Sequence, residues 1–491
     1  MTPTRARDRV AATPGLRDLA DQMFSRASGA RLREGNAIRL LKNAAENYPA
    51  WLEAIRTATR SIHVEMYIVH EDDQGRMFAD ALIAQAKAGV RVRLVYDWVG
   101  GFNNTSRGFW NRLREGGVDV RCYNPPHFDS PIGWLSRDHR KVIVVDRAVA
   151  FVTGLCIGQA WAGDPARHRD PWRDTGVEVC GPAIADVEDA FADTWAATGE
   201  PLPPEDTAPV KTPLPPNAAA NSGVALRVVA TVPNTAGLFR VDQLVAGLAR
   251  RTLWLTDAYY AGTTPYVQAL RAAAEDGVDV RLLVPGSSDV PIVSPLSRAG
   301  YRPLLEAGVR VFEWNGSMLH AKTAVADGRW ARVGSTNLNV TSWLGNRELD
   351  VIVEDEPFAK QMEAMFADDL GNATEIVLDA RNRVRAPPPA AGHAPLMSSR
   401  GSSGGRAVAG AFRIGSTVSA AVTDRRVLEP IEAHIALIAG TALIALVVFA
   451  LWFPRGLAYP IAVLAAWPAV ALLVRGFALL RDRRRDRDRP K

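Results

Sequence analysis

The residues of this chain best suited to chemistry fall into one pattern that occurs twice. His139, Lys141 and Asp146 form His-x-Lys followed by four residues and an Asp, and His320, Lys322 and Asp327 repeat it. Scattering the chain's 8 His, 7 Lys and 33 Asp at random predicts on the order of 0.01 such patterns, far below the false-positive level of a short motif. The lysines sharpen the point. Of 58 basic residues 51 are arginine, so two of only seven lysines sit in these slots. An ammonium is a compact charge with three rotatable donors, whereas a guanidinium is a planar fork. Residues i and i+2 of a strand share a face, so each His and its Lys point the same way, into one site if the two copies pack about a two-fold. Imidazole titrates near 6.5 and serves as neutral nucleophile or protonated acid near neutral pH. Two of them can divide the work on a phosphodiester, one attacking phosphorus and the other protonating the leaving alkoxide. The lysines would neutralise the non-bridging oxygens, whose charge must be stabilised at the five-coordinate transition state.

Polar residues downstream extend this constellation. Gly334, Ser335 and Asn337, in GSTNLN, offer backbone and side-chain donors to a phosphate. Asp174, in PWRDTG, and Glu348, in GNRELD, lie at comparable distances after their histidines, and either carboxylate can accept an imidazole N–H and fix the tautomer. Asp146 and Asp327 complete the motif and also suit a strand-end or turn cap. No Asp/Glu/His cluster has metal-ligand spacing, so neither a metal nor another cofactor is expected. Cys122, Cys156 and Cys180 are too few for a disulfide scaffold and fit a reducing, cytosol-facing location.

The elements that must hold these residues are themselves duplicated. ALIAQAKAGVRVRLVYD reads as a helix stopped at Gly89 and then a strand, and ALRAAAEDGVDVRLLVP repeats it with Gly277 as the stop. LREGGVDVRCYN matches LLEAGVRVFEWN, and each motif runs into apolar strands suited to a sheet covered by helices on both faces. The order helix, Gly, strand, helix, Gly, strand, motif, strand occurs twice, which predicts a duplicated α/β unit. The predicted organisation is a segment 1–33, a first domain 34–200, a Pro/Ala-rich linker 201–223, a second domain 224–380 and a flexible tether 381–430. A helical hairpin at 431–480 and a basic tail at 481–491 follow.

Composition places the chain among ordinary globular proteins, with 47% hydrophobic and 23% charged residues and a net charge of +5. Residues 1–30 are studded with Arg and Asp and lack the apolar stretch of a secretory leader. The C-terminal region differs. HIALIAGTALIALVVFALWF is 20 uncharged residues, about 30 Å as a helix, and a second apolar run starts at Leu457. Arg425 and Arg426 precede the pair and an Arg cluster follows it, which predicts a transmembrane hairpin with both ends and the large N-terminal region in the cytoplasm.

At these motifs the chain resembles the phospholipase D superfamily, and in ENYPAWLEAI, SIHVEMYIVH, DHRKVIVVD, WRDTGVEVCGPA and LHAKTAVADGRWARVGSTNLN it resembles the bacterial cardiolipin synthase branch, over about residues 34–375. The resemblance implies two tandem α/β/α sandwich units related by a pseudo-two-fold. It implies no metal, and a covalent phosphatidyl-histidine intermediate that passes its phosphatidyl group to an alcohol. His139 and His320 become nucleophile and acid/base, with His139 the first to attack, and Lys141 and Lys322 bind phosphate. The expected reaction makes cardiolipin from two phosphatidylglycerols at a membrane. The alternatives are a hydrolytic phospholipase D, another phosphodiesterase or nuclease, and, in another class, an inactive membrane-anchored lipid-binding scaffold. An anionic phospholipid is the expected partner and nucleic acid is not, while the oligomeric state stays open. Two departures stand out: Arg147 follows the first Asp where Gly is usual, and Cys156 stands where Asn is frequent. Phe128, Ile132, Trp134 and Leu135, in the loop before the first motif, suit either an interfacial anchor or a cover for the core.

Overall fold

A computed structural model of the chain describes residues 16–126, 136–207, 222–286, 300–378 and 384–385, with scattered residues between 441 and 473. In chain order its strands are β1 (Arg33–Lys42), β2 (Ser61–Met66), β3 (Arg91–Asp97), β4 (Asp119–Tyr123), β5 (Lys141–Val145), β6 (Val149–Thr153), β7 (Thr175–Cys180) and β8 (Val224–Thr231). The remainder are β9 (Thr252–Thr256), β10 (Asp279–Pro285), β11 (Arg310–Trp314), β12 (Thr323–Ala326), β13 (Trp330–Gly334), β14 (Glu348–Val353), β15 (Ala373–Leu378) and β16 (Val384–Arg385). They form one mixed sheet in the order β16-β15-β11-β10-β9-β12-β13-β14-β8-β1-β7-β6-β5-β2-β3-β4.

The duplication is visible strand by strand. β2, β3 and β4 run parallel, and so do β9, β10 and β11. The helices Asp73–Lys87 and Thr264–Glu275 make matching crossovers in the two halves. Each ends in a left-handed glycine, Gly89 or Gly277, both at φ 92°, a conformation that costs other residues about 1 kcal/mol or more. Antiparallel hairpins β5–β6 and β12–β13 then carry the two motifs. Helix Asn43–Arg56 shows why such segments fold: Ala44, Tyr48, Trp51, Leu52 and Ile55 recur at helical spacing and all are buried.

Two features go beyond the sequence expectation of two tandem units. The halves share one sheet. β1 pairs antiparallel with both β7 and β8, so a single sheet runs through both, and Val142, Val177 and Val179 share one apolar cluster with Val325, Leu349 and Val351. Periodicity reports which face of a strand is buried, not which strand lies alongside. The second feature is at the N-terminus, where helix Leu16–Ser28 joins the second half: Phe24 packs in the cluster of Leu238, Val241 and Val245.

The linker residues 208–221, the loop 127–135 with Phe128, Ile132, Trp134 and Leu135, and most of the predicted tether, hairpin and tail lie outside the described residues. Residues 444–452 are helical, but no helix among the described residues is long and apolar enough to cross a membrane, so the predicted spans have no structural support.

Candidate active site

Each motif histidine is hung on the other half of the molecule. Ahead of β5, His139 N–H donates to Arg347 C=O (2.9 Å) and Arg347 N–H donates to Arg137 C=O (2.8 Å). Ahead of β12, His320 N–H donates to Arg173 C=O (2.7 Å) and Arg173 N–H to Met318 C=O (2.9 Å). The residue after each of those arginines is the carboxylate that orients the ring. His139 Nδ1 meets Glu348 Oε2 at 2.9 Å, and His320 Nδ1 meets Asp174 Oδ2 at 2.7 Å. The sequence reading left open which histidine each carboxylate serves; the structure pairs each one with the histidine of the other half. Similar spacing along the chain carries no information about which half supplies the partner.

Both carboxylates are fully buried and held by further donors. Glu348 accepts from Ser335 Oγ (2.6 Å) and Asn346 Nδ2 (3.2 Å). Asp174 accepts from Trp161 Nε1 (3.0 Å) and Thr175 N–H (2.8 Å). Burial alone would raise both pKa values, but the adjoining imidazole, lysine and donor groups outweigh it and hold Glu348 and Asp174 below the usual range. Each therefore stays ionised, accepts Nδ1–H and leaves Nε2 with its lone pair. The arginines before them lock the halves together. Arg173 reaches Asp369 in helix Glu356–Leu370 (2.8 and 2.7 Å), and Arg347 pairs with Asp193 in helix Ile184–Ala197 and meets Tyr123 Oη (3.2 Å).

The electrostatics identify one shared site. Burial is the main force lowering His139 to about 4 and His320 to about 3, so both rings are neutral near pH 7. Lys322 of the second half also acts on His139, and Lys141 of the first acts on His320. Burial, opposed by Asp174 and reinforced by Lys141, brings Lys322 down to about 8. Each lysine is buried and donates to the carbonyl of its own histidine. Two ammonium groups that repel one another inside protein make a place for an anion. Tyr67 and Tyr259 stand edge-on to His139 and His320, with ring centres 4.8 and 5.9 Å away. Trp161 and Trp172 also pack against His320, with ring centres 5.5 and 5.7 Å away.

The remaining predicted residues divide. Asn337 is buried in the segment between β13 and β14, and among the described residues its Oδ1 has no hydrogen-bond partner. Ser335 is not free for phosphate, because its hydroxyl donates to Glu348 and accepts from Leu349 N–H (2.9 Å). Gly334 lies in β13 opposite Asp350, whose Cα would be 2.5 Å from any added Cβ, so its glycine answers to packing. Asp146 and Asp327 are not in the site at all. They stand at the far ends of β5 and β12, ~16 Å of strand from the lysines. Asp146 accepts from Thr59, Arg60 and Ser61 N–H (2.8, 2.7 and 2.9 Å), and Asp327 from Arg250, Arg251 and Thr252 N–H (3.0, 2.7 and 3.0 Å). Both open left-handed turns, followed by Gly328 in one copy and Arg147 at φ 57° in the other.

Sequence reasoning missed Tyr67, Tyr259, Trp161, Asn346 and the two bridging arginines. The repeated Arg-acid pair, Arg173-Asp174 and Arg347-Glu348, was the available signal for the last of these. Among the described residues no group of three or more His, Cys, Asp or Glu side chains could hold a metal ion.

Two oriented imidazoles and two buried lysines, each lysine acting on the histidine of the other half, are groups suited to chemistry on an anionic phosphodiester. Comparison with known proteins agrees. Residues 51–159 and 246–370 match the family described as "Cardiolipin synthase, PLD-like domain". Cardiolipin synthase A of Pseudomonas fluorescens is 33% identical over 360 residues, covering 71% of this chain and 72% of the relative. That of Pseudomonas aeruginosa is 35% identical, covering 71% and 70%. The crystal structure of phosphatidylserine synthase from Haemophilus influenzae superposes with a TM-score of 0.57 at 14% identity, covering 72% of this chain and 91% of that one, a likeness of fold. The chain belongs to the phospholipase D-like cardiolipin synthase family.

Proposed function

We propose that this enzyme joins two phosphatidylglycerols into cardiolipin through a phosphatidyl group carried on histidine. Nε2 of His139 attacks phosphorus of the first lipid, the P–O bond to its glycerol headgroup breaks, and His320 protonates the departing alkoxide. A headgroup hydroxyl of a second phosphatidylglycerol then gives its proton to His320 and attacks phosphorus; the P–N bond breaks and cardiolipin leaves. Lys141, Lys322 and Asn337 hold the non-bridging oxygens, and Glu348 and Asp174 stabilise each imidazole as it becomes positive. The observation that carries this reading is the crossed pairing of His139 with Glu348 and His320 with Asp174, which uses Nδ1 of each ring and, among the described residues, leaves Nε2 available beside two buried lysines. Because burial keeps both rings neutral near pH 7, the acid must gain its proton with the anionic substrate, whose charge favours the imidazolium.

The same proposal places the enzyme at the cytoplasmic membrane through the apolar segments within 431–480, with both halves and the C-terminus in the cytoplasm. The arginines flanking those segments support that orientation. Incubation of the detergent-solubilised chain with phosphatidylglycerol, followed by mass spectrometry of the lipids, tests the reaction. Cardiolipin plus glycerol, undiminished by EDTA and abolished in His139→Ala or His320→Ala, is the expected result. Phosphatidic acid would mean hydrolysis, and unchanged lipid a scaffold.

A further inference from the structure

Large hydrophobic side chains exposed on residues 16–378 are few among those described: Leu19, Met23, Phe102, Leu248, Leu344 and Val377. Phe102 is the most exposed of them, at 57%, and the only aromatic. Its position follows from the site. β3 ends at Asp97, whose carboxylate accepts from Val99 and Gly100 N–H (2.8 and 3.1 Å) and so starts the turn Trp98–Gly101. The other oxygen of Asp97 accepts from Asp138 N–H (2.9 Å), one residue before the catalytic His139. Gly100 lies so close to Tyr67 that an added Cβ would be 1.7 Å from its carbonyl, and the Tyr67 ring stands against His139. The turn is therefore fixed to the catalytic frame, and it presents a half-buried Trp98 and the exposed Phe102, rings 5.2 Å apart, to solvent.

Leu344, 40% exposed, stands on the same edge of the sheet. It follows the buried Trp343 and precedes Asn346, which holds Glu348. This is the edge where β2, β3 and β9 end and β5, β12 and β14 begin. Arg76, Arg107, Arg167 and Arg169 are exposed there, interleaved with Glu71, Asp73, Asp164 and Asp170, so the rim is apolar at points and mixed in charge between them.

We propose that this catalytic edge docks onto an anionic bilayer, with Phe102 and Trp98 seated at the boundary between headgroups and acyl chains and Leu344 beside them. The proposal rests on the cardiolipin-forming reading and adds to it a membrane contact separate from the C-terminal apolar segments. A lipid phosphodiester must reach the buried histidines while its acyl chains stay in the bilayer, so the mouth of the site has to meet the interface. Aromatic rings with exposed edges favour that depth, and the phosphatidylglycerol of the proposed reaction makes the bilayer anionic.

The test reconstitutes the full chain in vesicles and compares two substrates. One is long-chain phosphatidylglycerol within the vesicle. The other is dihexanoyl phosphatidylglycerol dissolved below its micelle concentration, supplied to the chain in phosphatidylcholine vesicles. Phe102→Asp should lower turnover of the bilayer substrate about tenfold or more while leaving the dissolved substrate within twofold, since a ring seated in the bilayer interface is exchanged for a charge. Leu248→Asp, on the opposite edge, should change neither. Equal loss on both substrates in Phe102→Asp, no loss on either, or the same selective loss in Leu248→Asp would each overturn the proposal. Wild-type protein that forms cardiolipin from neither substrate would instead sink the catalytic reading beneath it.

Discussion

Replacing Glu348 with Gln tests the crossed pairing directly. The substitution keeps the shape of the side chain and removes its charge. Glu348 Oε2 receives His139 and Ser335 while Oε1 receives Asn346, so a glutamine keeping its oxygen toward His139 turns its amide to Asn346 Nδ2. Asn346 can rotate to meet it, because among the described residues its Oδ1 has no partner. The fold should survive and the loss should fall on the imidazolium that forms during transfer. Exchanging a charge-assisted hydrogen bond for a neutral one costs about 2 kcal/mol, or about 30-fold in turnover. Ser335→Ala removes a donor from the same carboxylate and should cost about tenfold alone. The double variant should lose less than the product of the two, since both act through Glu348. Were Ser335 a phosphate ligand instead, its variant would raise KM and multiply fully with Glu348→Gln. Steady-state kinetics on mixed micelles of phosphatidylglycerol separate the two cases. Turnover of Glu348→Gln within threefold of wild type would refute the orienting role.

Three further outcomes are expected. Asp327→Ala removes an acceptor shared by three backbone N–H groups and should lower stability by about 2 kcal/mol while leaving the turnover of folded enzyme unchanged, read by urea unfolding beside a lipid assay. Arg173→Ala strips Asp369 of its buried partner and should cost about 3 kcal/mol, softened by Lys42 Nζ 3.8 Å from the same carboxylate; an unchanged midpoint would deny that this pair joins the halves. Stability should also fall as pH drops from 6.5 toward 4. The unfolded histidines take protons near 6.5, whereas burial holds His139 neutral to about 4 and His320 to about 3, so the unfolded chain binds more protons across that window. Each histidine contributes up to about 2 kcal/mol of this loss between pH 6.5 and 5, and a His139→Asn/His320→Asn variant should flatten the slope; an identical slope would place the titration elsewhere.

The parts of the site legible in the sequence are those that a short stretch of chain determines alone. Alternation along a strand puts His139 beside Lys141 and His320 beside Lys322, and the doubling of the pattern announces a shared site. Five residues further on, the same periodicity carries Asp146 and Asp327 to the other end of the strand. Their place in the motif therefore reflects the turn that starts the return strand, and the N–H groups waiting there. Long-range pairing is different in kind. Nothing in the spacing distinguishes Glu348 serving its own half from Glu348 serving the other, because only the packing of β14 beside the first motif decides it. The two copies also meet the same requirement with different residues. In the second half Ser335 donates to Glu348 from the adjoining segment. In the first half the aligned residue is Gly154, where an added Cβ would stand 2.2 Å from Asp174 Oδ1, and the donor is instead Trp161 Nε1 from the short helix Gln159–Ala162. Symmetry survives in the hydrogen bonds each carboxylate receives after it has been lost from the side chains that supply them, so aligning one half with the other does not find Trp161.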